Sequence, residues 1–298
     1  VTLDIMMPFY GRIDHFKLAV ESVLAQSDPD WRLTIIDDVY PDPSAGAWAA
    51  AIADARVTYL RNDINLGVSG NFHKAVSLMR ERRAVIMGCD DVMLPGFVGR
   101  VRQIATAFPD AAMIQPGVEV IDADGAVHRP LADRVKALYA PRGTGMRTLE
   151  GEQMAKSLLQ ANWLYFPSIV WDVERLKRYE FRADLNVVQD LVMHLEFAKD
   201  GGLLVADDEI VFRYRRHGGS VSAVTGPDGS KFAEERQVFR EAARDMDALG
   251  WHRAARAARV HLSSRLHAAA DLPKAVLARD GEGFRSLARH TFGGLGAG

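Results

Sequence analysis

An α/β fold is predicted, with a mostly parallel sheet, helices on both of its faces and a helical appendage at the C-terminal end. Three features of the sequence predict it. Short apolar segments alternate with helical periods from Leu3 to Asp91, and these segments run into proline or acidic clusters. Past the loop Thr225-Gly226-Pro227-Asp228-Gly229, the composition shifts to Ala, Arg and Leu. Parallel strands need crossovers, and the intervening helices supply them.

Leu3 to Met7 is short and apolar and is closed by Pro8, which predicts a buried strand. Ile13, Phe16, Val20, Val23 and Leu24 recur at helical spacing, and Leu33 to Ile36 forms a β-branched run ending at Asp37-Asp38. Pro41, Asp42, Pro43 and Ser44 then favour a plain loop. Val57 to Leu60 is a third strand, followed by a helical face at Phe72, Ala75, Val76 and Met79. A fourth strand, Ala84 to Met87, ends at Gly88-Cys89-Asp90-Asp91, and Leu94-Pro95-Gly96-Phe97 reads as a helix entry. From about Gln115 the pattern loosens, with a hairpin-like turn at Asp122-Ala123-Asp124-Gly125. Helical periods return at Met154 to Leu159 and Val188 to Phe197, and Ile210 to Tyr214 reads as a strand.

The bulk properties narrow the function classes. A hydrophobic content of 48% with 26% charged residues belongs to a globular chain with a sizeable core. A formal charge of -2 argues against a surface organised around nucleic acid. The single cysteine, Cys89, excludes a disulfide framework and a cysteine metal cage, which fits a reducing, cytoplasmic setting. No apolar run approaches a bilayer-spanning length and no basic leader is present, so at most peripheral contact with the inner face of a membrane is expected.

Open α/β sheets bind ligands at the carboxyl ends of their strands. The polar clusters fall there: Pro8-Phe9-Tyr10, Asp37-Asp38 and Asp90-Asp91. Adjacent carboxylates at a strand end suit a hard divalent cation shared with substrate phosphates, and equally suit a turn that caps the next helix. One carboxylate of Asp37-Asp38 can accept from a nucleobase N–H, or serve the turn. Asn65-Leu66-Gly67 with Gly70-Asn71 is a glycine-containing loop entering a helix, able to approach a nucleotide or to act as an ordinary turn. Asp190 stands in an apolar helical stretch, where an acid is functional, paired or placed at the helix N-terminus. Arg213, Arg215, Arg216 and His217 precede the flexible turn Gly218-Gly219-Ser220, as a diphosphate clasp or a solvated loop.

The ordered series Pro8-Phe9-Tyr10, Ser22-Val23-Leu24-Ala25-Gln26, Ile35-Ile36-Asp37-Asp38, Asn65-Leu66-Gly67, Asp90-Asp91 with Leu94-Pro95, Gln189-Asp190 and Arg216-His217-Gly218-Gly219-Ser220-Val221-Ser222 resembles the family 2 glycosyltransferases. The resemblance implies a GT-A fold, a Rossmann-like sheet flanked by helices, over residues 1–228. Residues 1–115 would then form the nucleotide-sugar half, 116–228 the acceptor half and 229–298 a helical extension. It further implies inverting transfer from a nucleoside-diphosphate sugar to a glycan, lipid-linked or small-molecule hydroxyl in polysaccharide or glycoconjugate synthesis. Asp190 matches the base, Asp38 the base-binding aspartate and Pro8 the start of the nucleotide loop. Phe9, Tyr10, Asn65, Gly67, Asn71, Asp90 and Arg216 complete the nucleotide-sugar set. Asp90, Asp91 and His217 would hold a metal, with Mn²⁺ favoured over Mg²⁺ by the mixed oxygen and nitrogen donors. Uridine or thymidine is the expected base, since both present an N3–H to Asp38. Two positions depart from the family pattern: Gly88 stands where many members carry the first acid of an Asp-x-Asp element, and Gln189 replaces an acidic neighbour of the base. Rival readings are a nucleotide-sugar-binding module without turnover and a sugar-phosphate nucleotidylyltransferase.

After Gly250, eight basic side chains stand against three acidic ones, so the tail is a basic appendage. Val260, Leu262, Leu266 and Ala269 form an apolar stripe at helical spacing. The expected use of this stripe is packing on the domain or self-association, with at most weak, salt-sensitive lipid binding.

Overall fold

The first strand, β1 (Leu3–Phe9), runs two residues beyond the expected end at Met7 and takes in Pro8. Met6 faces its neighbour β4 (Arg83–Ile86), because the Met87 N–H donates to the Met6 carbonyl at 2.8 Å. Alternation therefore turns Pro8 to the same side, beyond the end of β4, where its missing N–H breaks no ladder bond. The computed structural model describes residues 2–128, 130–141, 143–182, 184–185, 187–216 and 230–293.

Helix α1 (Ile13–Leu24) buries Phe16, Val20 and Val23 of the stripe that its spacing predicts, together with His15 and Ala19, and leaves Ile13 and Leu24 half-buried. It leads to β2 (Trp31–Asp37), which pairs parallel with β1. The segment expected to be a plain loop is instead the start of α2 (Pro43–Ala50): the Asp42 side chain accepts from the Ser44 N–H, and Pro43 stands at the first helical position. Those residues are helix-start signals as much as turn residues. Then follow β3 (Val57–Arg61), α3 (Gly67–Leu78), β4, the short β5 (Val92–Met93) and α4 (Phe97–Ala107).

The region that loosens in sequence contains an 11-residue strand, β6 (Ala111–Ile121). Gln115-Pro116-Gly117 interrupts its apolar run, and the strand absorbs the interruption as register shifts against β9 (Leu203–Arg215). Between them lie α5 (Leu131–Tyr139), β7 (Arg147–Leu149), α6 (Gly151–Gln160), β8 (Val170–Asp172), the single-turn α7 (Val173–Leu176) and α8 (Gln189–Lys199). The sheet order is β3-β2-β1-β4-β8-β6-β9-β5, with β7 also on β9. Strands β3, β2, β1 and β4 are mutually parallel, while β8 is antiparallel to both β4 and β6 and so joins the parallel half to a mixed half.

Past residue 229 the chain is helical: α9 (Ser230–Ala248), α10 (His252–Val260), α11 (Leu262–Leu277) and α12 (Gly281–Phe292). Helices α9 and α10 are continuous with the main core, since Phe239, Ala242, Met246, Ala254, Ala255 and Ala258 share one apolar cluster with Met154 and Leu158 of α6. The packing face of α10 is therefore alanine. The stripe expected to pack points the other way, with Val260, Leu262 and Leu266 exposed. Among the described residues no helix is long and apolar enough to cross a membrane.

Candidate active site

Because β1, β2 and β4 are parallel and in register, Tyr10, Asp38 and Gly88 leave the sheet at one edge. Phe9 is fully buried and stacks on Phe16 at a centroid distance of 4.0 Å, so its ring belongs to the core. Tyr10 is 55% exposed and meets Tyr40 edge-on, which leaves an aromatic face at the rim of the crevice.

Asp38 organises the loop at the start of α3. Its Oδ1 accepts from Asn62 Nδ2 at 2.7 Å and from the Leu66 N–H at 2.8 Å, and its Oδ2 accepts from the Gly67 N–H at 2.9 Å. A carboxylate offers about four acceptor positions, so one remains on Oδ2 for a base N–H. Asn65 adds a bond from its Nδ2 to the Asp38 carbonyl, and Gly67 takes φ +69, which favours glycine. Asn71 is buried: its Nδ2 donates to the Ile36 carbonyl and its Oδ1 accepts from Asn62, so it braces Asp38 from behind. Asp37 is a structural anchor, accepting from Tyr59 Oη and Arg61 Nη1 at 2.6 Å each.

The acidic pair after β4 is held by β9. Asp91 is buried, and its Oδ1 accepts from the Arg215 N–H at 2.8 Å. Arg215 is itself buried; its Nε donates to the Asp90 carbonyl, and its Nη1 donates to the carbonyls of Asp122 and Ala123. Arg215 is thus a bracket for the acidic turn. Arg213 pairs with Glu119 along the sheet, so neither of these arginines is placed as a phosphate ligand. Asp91 Oδ2 has no hydrogen-bond partner among the described residues, and burial and the neighbouring Asp90 push the Asp91 carboxyl well above its ordinary range. Cys89 is no candidate nucleophile, because burial pushes its thiol up to about 12.

Gly88 explains its own departure from the family pattern. A Cβ there would stand 2.5 Å from Asp91 Oδ2 and 3.0 Å from Asp90 Oδ1, so both carboxylates turn toward the space that a side chain would fill. Gly88→Ala is expected to lower stability by about 1–3 kcal/mol, the usual cost of overpacking. Urea unfolding of the variant checks this, and an unchanged midpoint would mean that the turn relaxes freely.

The opposite bank starts at α8. Asp190 is half-buried in its first turn, where the helix dipole favours an anion, and its Oδ2 accepts from Asn162 Nδ2 at 2.9 Å. Gln189 accepts at 3.0 Å from Ser69 Oγ in the first turn of α3, which ties the Asp190 bank to the Asp38 loop. His194, one turn along α8, is buried against Trp171, and burial lowers it to about 4, so it is a neutral core side chain.

A polar cluster joins Arg216 of the motif series to residues that no motif marks. Arg216 pairs with Asp133 of α5 at 2.8 Å, and Tyr165 Oη donates to Asp133 at 2.9 Å. Lys136, one turn along α5, lies over the Tyr165 ring at 5.2 Å. Burial and Arg216 bring Lys136 down to about 8, while Asp133 and Asp190 oppose that fall. Burial, with the charges of Asp91, Asp90 and Asp133, pushes the Tyr214 hydroxyl well above its ordinary range, and Arg216 opposes that rise. Asp133, Lys136, Asn162 and Tyr165 carry no recognisable spacing; only their three-dimensional meeting marks them.

Among the described residues, no three His, Cys, Asp or Glu side chains gather as a metal cage. His217 lies outside the described residues. The pair Asp90 and Asp91 nevertheless fits a divalent cation: two carboxylates converge on one space, and a buried carboxylate oxygen there lacks a donor.

Comparison with known proteins agrees with this fold. The chain is 25% identical over 217 residues to the succinoglycan biosynthesis protein ExoO of Rhizobium meliloti (strain 1021), covering 72% of this chain and 61% of that protein, so it spans less than two thirds of that relative's length. In fold it is similar to S. aureus TarS 1-349 in complex with UDP-GlcNAc, with a TM-score of 0.64 and 11% identity over 96% of this chain and 90% of that one. TarS 1-349 in complex with UDP gives a TM-score of 0.58 with the same identity and coverage. The sequence profile of glycosyl transferase family 2 matches residues 4–172, from β1 through β8, and the chain belongs to that family.

Proposed function

We propose that the chain transfers a sugar, with inversion, from a nucleoside-diphosphate sugar to an acceptor hydroxyl in polysaccharide or glycoconjugate synthesis. The observation that carries this reading is that the Asp38 loop and the Asp90–Asp91 turn leave the parallel strands at one edge, with Gln189, the neighbour of Asp190, bonded to Ser69 beside the Asp38 loop. The likeness to a protein bound to UDP-GlcNAc and the family membership support it.

In this reading Tyr10 borders the base, and the remaining acceptor position on Asp38 takes a pyrimidine N3–H, so uridine or thymidine donors are preferred. Asp190 removes the proton of the acceptor hydroxyl as its oxygen attacks the anomeric carbon, and the bond from that carbon to the diphosphate breaks. Asn162 holds the Asp190 carboxylate in place. Asp90 and Asp91, with His217 as a third donor, would hold Mn²⁺ in preference to Mg²⁺, and such an ion stabilises the charge of a leaving diphosphate. Arg216, fixed by Asp133, adds positive charge on the same side.

A panel of nucleotide-sugars with and without Mn²⁺, followed by thermal unfolding and by product release, tests the reading. A uridine or thymidine diphosphate sugar is expected to raise the unfolding temperature in a Mn²⁺-dependent way, and binding at a hundred times Kd adds about 2.7 kcal/mol. A donor that binds and never turns over with any hydroxyl acceptor would favour a binding module instead.

A further inference from the structure

Helices α10 to α12 divide into an inward and an outward set of residues. Helix α10 turns Ala254, Ala255, Ala257 and Ala258 inward and leaves Arg253, Arg256, Arg259 and Val260 exposed. Helix α11 buries Ala268, Asp271 and Ala275. Its exposed positions include Leu262, Leu266, Ala270, Pro273 and Leu277, spaced by four, four, three and four residues, so an apolar stripe runs the length of the helix. That stripe is about 24 Å long at 1.5 Å per residue. Leu266 is 58% exposed and Leu277 is 84% exposed, values that packing on the body of the protein would not leave. Helix α12 exposes Phe284, Arg285 and Phe292 in the same way.

The exposed charges around this stripe are mostly positive, and Arg259, at the end of α10, is paired with Asp247. Asp271 is buried and paired with Lys274, and Asp280 caps α12 by accepting from the Glu282 and Gly283 N–H groups. Glu282 is the remaining acid of the segment, whereas the guanidinium groups of Arg253, Arg256, Arg279 and Arg285 are exposed with no acidic side chain paired to them among the described residues; the Arg253 backbone N–H donates to Glu152. Arg259 and Val260 lie within three residues of Leu262, so the arginine end of α10 borders the apolar stripe of α11. A second copy of this chain would bring the same positive charges against these, which opposes self-association through this face. An anionic bilayer surface is complementary to it in both respects: phosphate headgroups meet the arginines, and the acyl boundary takes the leucines.

We infer that α10 to α12 form a docking face for an anionic lipid surface, with Leu262, Leu266 and Leu277 entering the interface and Arg253 and Arg256 pairing with headgroups. Docking there would bring the candidate crevice to a membrane surface. The inference does not depend on the sugar-transfer reading, because lipid binding is measured without substrate.

The test is co-sedimentation of the full chain with phosphatidylcholine vesicles that contain or lack phosphatidylglycerol, at physiological and at high salt. Binding is expected only with phosphatidylglycerol, falling with salt. The pair Arg253→Gln and Arg256→Gln should weaken it roughly tenfold or more, since each surface arginine contributes about 1 kcal/mol. Leu266→Gln with Leu277→Gln should weaken it at least as far, with an unchanged unfolding temperature because both side chains are already exposed. Equal binding to both vesicle types, no binding to either, or full binding by the leucine pair overturns the inference. So does a concentration-dependent dimer that the leucine pair abolishes, since the stripe would then be a subunit contact.

Discussion

Asp190→Asn is expected to abolish sugar transfer, by at least about a hundredfold to ten-thousandfold in kcat, the range for loss of a positioned general base. The change is nearly isosteric. Asparagine keeps an oxygen for Asn162 Nδ2 or for the Leu191 N–H, which donates to Asp190 Oδ1 at 2.7 Å, so the start of α8 should stay intact. Donor affinity should move little, because in the proposed reading the base acts on the acceptor and the nucleotide lies against the Asp38 loop. Calorimetry with the nucleoside diphosphate separates the two effects. Loss of nucleotide affinity in this variant would make Asp190 a structural or metal-binding residue and withdraw its role as base.

Asp91→Asn and Asp90→Asn are each expected to lower turnover by at least about a hundredfold, or about 2.7 kcal/mol of transition-state stabilisation at 1.36 kcal/mol per tenfold. Stability should respond in the opposite sense at Asp91. Its Oδ1 bond from the Arg215 N–H survives in an amide, and the change removes a buried carboxylate oxygen that has no donor beside Asp90. In chelator-treated protein the unfolding temperature of Asp91→Asn should therefore equal or exceed that of the wild type. Added Mn²⁺ should raise the wild type and leave the variant unmoved. Near wild-type rates for both variants at saturating Mn²⁺ would remove the metal from the account.

The N-terminal half was legible because β1, β2 and β4 are mostly buried and end at polar clusters, so a run such as Leu33 to Ile36 carries its own boundary at Asp37-Asp38. The acceptor half was less so. Strand β6 hides behind Gln115-Pro116-Gly117, and its partner β9 lies far along the chain, so no local period announces the pairing. The start of α2 was misread because Asp42-Pro43 serves a turn and a helix cap equally well. In the site, Asp38, Asp90, Asp91 and Asp190 carry recognisable neighbours, whereas Asp133 acquires meaning only when Arg216, 83 residues away, folds onto it. The arginine run before His217 also looked uniform in sequence. Strand alternation and burial give its members three different tasks: sheet pairing at Arg213, bracing at Arg215 and a seat beside the crevice at Arg216.

The central claim is direct displacement at the anomeric carbon with Asp190 as the base. Its most direct test is the anomeric configuration of the first product formed from a uridine or thymidine diphosphate sugar, read by proton NMR before any mutarotation or exchange. The account predicts a glycoside of inverted configuration, formed by the wild type and not by Asp190→Asn. A product of retained configuration, or an inverted product formed at an undiminished rate by Asp190→Asn, would contradict it.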